Sequence, residues 1–182
     1  MKPTGNAFEV YADADFCRLW DKNTAIDDAS TAKSRTGYII KHANCPITLA
    51  SKLQNETALS TTEAEYISLS TALCETIPLI TLLDEINDNA FDDDDAAQAN
   101  TIPTVKCNVF EDNSGALELA TVPKMRPRTK HINVKYHHFC EWVSSGRIKV
   151  MQVATEDQQA NLLTKNLPGP LFEKLRESIC GW

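Results

Sequence analysis

"LSTTEAEYISL", residues 59–69, sets Glu63 and Glu65 two positions apart just where a long apolar periodicity begins. Leu69, Leu73, Ile77, Ile80 and Leu83 then recur at helical spacing, which predicts a helix from about Thr62 to Ile86. Two capping boxes fit its start, Ser60 with Glu63 or Thr62 with Glu65, and either places negative charge against the positive end of the helix dipole. Capping uses only one of the two glutamates. The other is turned toward the apolar side, where an ionised carboxylate needs a partner. Pro78 lies inside the pattern and removes one internal hydrogen bond, so a kink or a break into two helices is expected there.

The flanking segments place this helix beside a sheet. "FEVYADADF" reads as a strand, with Phe8, Val10 and Ala12 alternating with Glu9, Tyr11 and Asp13. A polar stretch from Asp21 to Arg35 leads to "TGYIIKH", "ANC" and "PITLAS", which together form a hairpin. After the helix, "TVKCNVF" is a fourth strand that ends at "EDN", and "SGALELATV" starts a short helix capped by Asp112 or Asn113. "HINVKYHHFCEWVSS" is helical, with Ile132, Tyr136, Phe139 and Val143 on one face, and Gly146 ends it. "RIKVMQVAT" is a fifth strand, "EDQQANLLTK" a helix start and "GPLFEKLRESI" a final amphipathic helix. Strands in a meander, followed by strands alternating with helices, imply an α/β fold with one mixed sheet flanked by helices.

A chain of 182 residues, 42% hydrophobic and 24% charged, fits a single globular domain over residues 1–182. Its opening has no apolar stretch of signal-peptide length and "IPLITLL" is too short to cross a bilayer, so an intracellular protein without membrane insertion is expected. The six cysteines stand singly, with no C-x-x-C pair, and read as reduced thiols. The net charge of −7 is unevenly placed. Seven acids and no base lie between Asp84 and Val105, so the rest of the chain is neutral. That segment predicts a flexible acidic loop at 87–103; it lacks the spaced ligands and turn glycine of a calcium loop. Between Lys124 and Lys149 seven bases face one acid, the electrostatic footprint of phosphate contact.

Three acids sit at strand ends or helix starts: Asp13, Glu65 and Asp112. If the first and fourth strands are central, these positions converge at one edge. Clustered carboxylates repel one another, and a hard divalent cation such as magnesium removes that cost while also binding substrate phosphate.

The residues also carry a family resemblance. "VYADADF", "SRTGYII", "ASKLQNETALSTTEAEYISLSTAL", "EDNSGALELA", "RTKHINVKYHHF", "ATEDQQANLLTK" and "LPGPLFEKLR" run in order from about Val10 to Arg176. Together they resemble the ribonuclease H domain of copia-type retrotransposon polyproteins, with "ALSTTEAEY" and "RTKHI" the most specific segments. The resemblance implies a ribonuclease H-like fold, a five-stranded mixed sheet with three antiparallel strands and then two parallel ones. It also implies hydrolysis of the RNA strand of RNA–DNA hybrids by four acids holding two Mg2+ ions, with Mn2+ as a substitute. Carried onto this chain, the acids fall on Asp13, Glu65 and Asp112, with Asp15 the nearest rival of Asp13. Glu63 is then free to serve the cap. Asn113 and Ser114 are expected near 2′-hydroxyls, and Arg128, Lys130 and His131 at phosphates. The implied partners are the hybrid and the reverse transcriptase domain of the same polyprotein. A monomer is expected in isolation, located in cytoplasmic virus-like particles or the nucleus.

The fourth acidic position departs from the family pattern. Relatives usually read "EDQLAD" where this chain reads "EDQQAN", so Asn161 stands in place of an aspartate. An amide oxygen ligates magnesium less tightly than a carboxylate, and Asp157, four residues earlier, is a candidate substitute if the helix begins early enough. The competing expectation is a module of the same fold that binds nucleic acid or protein with weakened or no cleavage.

Overall fold

A computed structural model describes residues 7–23, 27–89, 105–122 and 138–182. Strands β1 (Ala7–Asp15), β2 (Arg35–His42), β3 (Cys45–Leu53), β4 (Lys106–Glu111) and β5 (Ile148–Gln152) form one sheet in the order β3-β2-β1-β4-β5. β1, β2 and β3 pair antiparallel, whereas β1–β4 and β4–β5 are parallel. The β2–β3 hairpin turns on Ala43 and Asn44, both left-handed at φ 49° and 64°, which matches the twist of the strands it joins. Ala43 is an uncommon residue for that geometry.

Helix α1 (Thr61–Asn89) packs on one face of the sheet. There Tyr66, Leu69, Leu73 and Ile80 meet Phe8, Val10, Ala12, Tyr38 and Ile40 in the main core. Residues 61–87 form a helix long and apolar enough to cross a membrane, but half of its most apolar 18-residue window is buried inside the protein. Pro78 does not break α1. Leu73 before it and Ile80 after it are both fully buried in the same core, and that packing outweighs the roughly 3 kcal/mol that an interior proline costs. The helix also runs into the segment expected to start the acidic loop, so residues 87–89 are helical and residues 90–103 lie outside the described part. Near that end, Asp84 accepts a hydrogen bond from the Val105 N–H at 3.2 Å and pairs with Arg147, tying the helix to β4 and β5.

At the other end of α1 it is Ser60 and Glu63 that make the capping contacts, with Glu63 reaching back to the residue before the cap. The Glu63 N–H donates to Ser60 Oγ at 3.1 Å, and the Leu59 N–H donates to Glu63 Oε2 at 2.8 Å. Glu65 is left to face inward. Ser60→Ala should lower stability by about 1 kcal/mol in urea unfolding.

Helix α2 (Ser114–Thr121) follows β4 and is capped by Asn113, whose Oδ1 accepts from the Gly115 and Ala116 N–H groups. Helix α3 (Cys140–Ser144) is the described end of the helix expected from His131; residues 131–137 lie outside the described part. After a 3-10 turn at Thr155–Asp157 come α4 (Asn161–Thr164) and α5 (Gly169–Cys180). Tyr11, Ile39, Ala160 and Ile179 pack together as a second, smaller core.

Candidate active site and metal centre

β1 and β4 run parallel side by side, and their last paired residues are Tyr11 and Phe110. Beyond that point Gln158 Nε2 donates to the Ala12 carbonyl at 3.0 Å and the Phe110 carbonyl at 3.1 Å, satisfying two acceptors that the ladder leaves open. The carboxyl ends of adjacent parallel strands are where open α/β sheets place their ligands. Asp13 and Asp112 stand there, and the first turns of α1 bring Glu65 alongside.

Asp13 is fully buried. Its Oδ1 accepts from Lys165 Nζ at 2.8 Å, its Oδ2 accepts from the Thr164 hydroxyl, and its peptide carbonyl accepts from Ser68 Oγ at 2.7 Å. Glu65 Oε2 accepts from the Ala14 N–H at 2.7 Å, which locks the side chain against β1. Asp112 is half-buried. One oxygen from each of the three carboxylates lies within 4.8 Å of the others. Burial, with Asp13, Glu111 and Asp112 nearby, pushes Glu65 up to about 10, and burial likewise raises Asp13. Such a set of crowded, partly desolvated, hard oxygen donors fits a divalent cation, whose charge reverses the repulsion.

Asn161 stands beside this set, its Oδ1 sharing the Lys165 ammonium with Asp13 Oδ1. It is buried at the start of α4, where its Nδ2 donates to the Thr155 carbonyl and its Oδ1 accepts from Lys165 Nζ, both at 2.7 Å. Asp157 lies elsewhere. The helix that would align it with Asn161 begins only at Asn161, because Gln158 takes an extended conformation and turns its side chain under the sheet. Asp157 instead pairs with Lys174 of α5 at 2.7 Å on the surface. Asp15, at the end of β1, pairs with Arg18 at 3.7 Å and is outside the three-carboxylate group. Asn113 spends its side-chain oxygen on the α2 cap, next to an exposed Ser114. Arg128, Lys130 and His131 lie outside the described residues. Of the basic segment, Arg147 is engaged structurally, paired with Asp84 and stacked over Trp142 at 4.5 Å.

Several residues of the site escaped the sequence reading. Glu111 precedes Asp112 and follows Cys107 and Val109 on the buried side of β4. Its Oε1 accepts from the Asn113 N–H at 3.0 Å, while Oε2 has no hydrogen-bond partner among the described residues. Burial pushes it up to about 8, against the Asn113 hydrogen bond and with help from Asp112 and Asp13. Alternation along the strand was the signal that could have found it. Lys165 follows Asn161 by four residues, one helical turn, and that spacing announces the contact. Gly37 faces Asp13 across the β1–β2 ladder, and a Cβ there would stand 2.6 Å from Thr164 Cγ2 and 2.9 Å from Leu163 Cβ. Its missing side chain is what lets α4 lie close enough to bring Thr164 and Lys165 to Asp13.

The raised carboxylates set a pH dependence. Glu111 ionises near its ordinary value when unfolded but only at about 8 when folded, so between those values the folded state holds a proton that the unfolded chain releases. Stability of the metal-free protein should therefore fall as pH rises from about 5 to about 8, with Glu65 extending the fall toward 10. Thermal melts in chelator across that range check the sign, and added divalent metal should flatten the slope.

No family model matches the chain. It is 34% identical over 152 residues to the retrovirus-related Pol polyprotein from transposon TNT 1-94 of Nicotiana tabacum, a match covering 84% of this chain and 10% of that protein. It is 31% identical over 175 residues to the retrovirus-related Pol polyprotein from transposon RE1 of Arabidopsis thaliana, covering 96% of this chain and 11% of that protein. The chain thus spans about a tenth of the length of these relatives. Among solved structures, the N-terminal RNase H domain of a Mycobacterium tuberculosis protein superposes with a TM-score of 0.55 at 12% identity, covering 96% of this chain and 99% of the other. An RNase H1 isolated from compost by a metagenomic approach gives 0.52 at 17% identity, covering 93% and 98%. At these identities the likeness is one of fold.

Proposed function

From the premise that this chain is homologous to a segment of the retrovirus-related Pol polyproteins of plant transposons and has the ribonuclease H fold, we propose that it hydrolyses the RNA strand of RNA–DNA hybrids. In this reading it is the ribonuclease H domain of a copia-type polyprotein. It works beside that polyprotein's reverse transcriptase, in cytoplasmic particles or the nucleus. The observation that carries the proposal is the convergence of Asp13, Glu65 and Asp112 at the carboxyl ends of β1 and β4.

Asp13, Glu65 and Asp112 would hold the divalent cation, Mg2+ or Mn2+. A metal so held supplies two things, a water acidic enough to attack phosphorus and charge stabilisation of the phosphoryl oxygens. The protein's own share is positioning. The Ala14 N–H fixes Glu65, and Thr164 and Lys165 fix both oxygens of Asp13, so the donors are oriented before substrate arrives. Asp112 is the least buried of the three and the most open to solvent. The two-ion arrangement implied by the family resemblance would further require Asn161 as a ligand.

A panel of end-labelled substrates tests the proposal. With Mg2+ the chain should cut the RNA strand of a hybrid while leaving the DNA strand, duplex DNA and duplex RNA intact, and chelator should stop it. Tight binding of the hybrid with no cutting would favour the second reading, a non-cleaving module, for which the neutral and doubly bonded Asn161 is the specific support.

A further inference from the structure

Gln54 follows the last residue of β3 and is only 4% exposed, although its side chain is polar. Its own N–H donates to the Ser34 carbonyl at 2.8 Å, which fixes it at the open end of the β2–β3 hairpin. Its Nε2 donates to the Ala64 carbonyl at 2.8 Å and to Thr36 Oγ1 at 3.1 Å. The Ala64 carbonyl belongs to the peptide bond that leads into Glu65, and Thr36 pairs across the sheet with Ala14, whose N–H holds the Glu65 carboxylate. We infer that Gln54 is a positioning residue for Glu65, tying the backbone of that glutamate to the same corner of the sheet that ties its side chain. The inference rests on the active-site reading above and deepens it by naming a residue, outside the acids, on which metal affinity depends.

The contacts close a ring. It runs from Gln54 through Ala64 to Glu65, from Glu65 Oε2 to the Ala14 N–H, across the β1–β2 ladder to Thr36, and from Thr36 Oγ1 back to Gln54. Glu65 is thereby held at both ends, and outer partners of this kind orient a metal-binding carboxylate. Apolar packing on this flank is thin. Ala14, Ala58, Ala64 and Ile67 form a small cluster apart from the main core, and a cleft of about 260 Å3 is lined by Gln54 with Thr36, Ile67 and Thr71. With so few methyl groups against the first turns of α1, the amide is their tie to the hairpin. One turn further on, Ser68 Oγ donates to the Asp13 carbonyl, so loss of the Gln54 amide frees the first turn while the rest of the helix stays anchored. The last observation is a cost. The Ala64 carbonyl can take only the amide nitrogen, so Gln54 Oε1 is turned away, buried and without a hydrogen-bond partner among the described residues. An apolar side chain of the same length would leave no such oxygen, and the Ala64 carbonyl, inside α1, would keep its helical hydrogen bond. Stability alone therefore does not call for a glutamine here.

The test replaces Gln54 in the full chain by two apolar side chains, Gln54→Met and Gln54→Leu. Thermal melts in chelator read stability, and Mn2+ titration followed by the EPR signal of free Mn2+ reads the site, whose binding is the part lost in Asp13→Asn. In at least one of the two variants the melting temperature should stay within about 5 °C of the natural chain, and in that variant Mn2+ affinity at the site should fall at least about tenfold. Natural Mn2+ affinity in such a variant would overturn the inference. So would a larger fall in melting temperature in both, because Gln54 would then hold the fold rather than the ligand. No Asp13-dependent Mn2+ in the natural chain would overturn the active-site reading itself, so the two failures are distinguishable.

Discussion

Asp13→Asn should lower cleavage of the hybrid by about a thousandfold or more, with the fold intact. Asp13 is the most buried of the three carboxylates, and it alone faces both Glu65 and the Lys165–Thr164 pair. An amide keeps the shape but removes the charge that a divalent ion needs most, the one in the least watery surroundings. Stability should respond much less. Losing the carboxylate relieves repulsion on Glu65, while Lys165, one-third exposed, can turn to water. The melting temperature should therefore stay within about 5 °C of the natural chain. Cleavage assays beside thermal melts check both parts, and a variant that cuts within tenfold of the natural rate would remove Asp13 from the centre.

Gly37→Ala should have the largest effect among changes that touch no charged group. Its new methyl would stand 2.6 Å from Thr164 Cγ2, 2.9 Å from Leu163 Cβ and 3.2 Å from the Ala160 carbonyl. Two of these atoms are short, branched or backbone-anchored and cannot swing aside, so α4 must lift. Overpacking of this kind costs about 1–3 kcal/mol, which for a chain of this size is a fall of roughly 3–10 °C in melting temperature. The lift also moves Thr164 and Lys165 away from Asp13, so the Asp13 carboxylate loses both of its side-chain partners. Metal affinity should change together with stability. A variant with an unchanged melting point and unchanged Mn2+ binding would show that α4 does not depend on this glycine.

Much of this arrangement was legible in the residues. Alternation in "FEVYADADF" and "TVKCNVF", together with the meander before the helix, implied the mixed sheet; the β3-β2-β1-β4-β5 order puts β1 and β4 at its centre. The spacing of Glu63 and Glu65 announced that one would cap and the other turn inward, though two boxes were open and only the structure selects Ser60 with Glu63. The missing part has a common physical cause. Between β5 and α5 the chain is set by tertiary contacts, with Gln158 capping two sheet carbonyls and Asn161 tied to Thr155, and local periodicity does not record such contacts. A helix start was therefore expected too early, and Asp157 was aligned with a face it does not share. Of the kink or break expected at Pro78, the break does not occur, since burial on both sides of it keeps the helix continuous.

The most direct measurement is the anomalous scattering of a crystal of the natural chain soaked in Mn2+. A peak within coordinating distance of Asp13, Glu65 and Asp112 together is the predicted result. A peak away from these three carboxylates, or none near them, would contradict the metal centre on which the proposed hydrolysis depends.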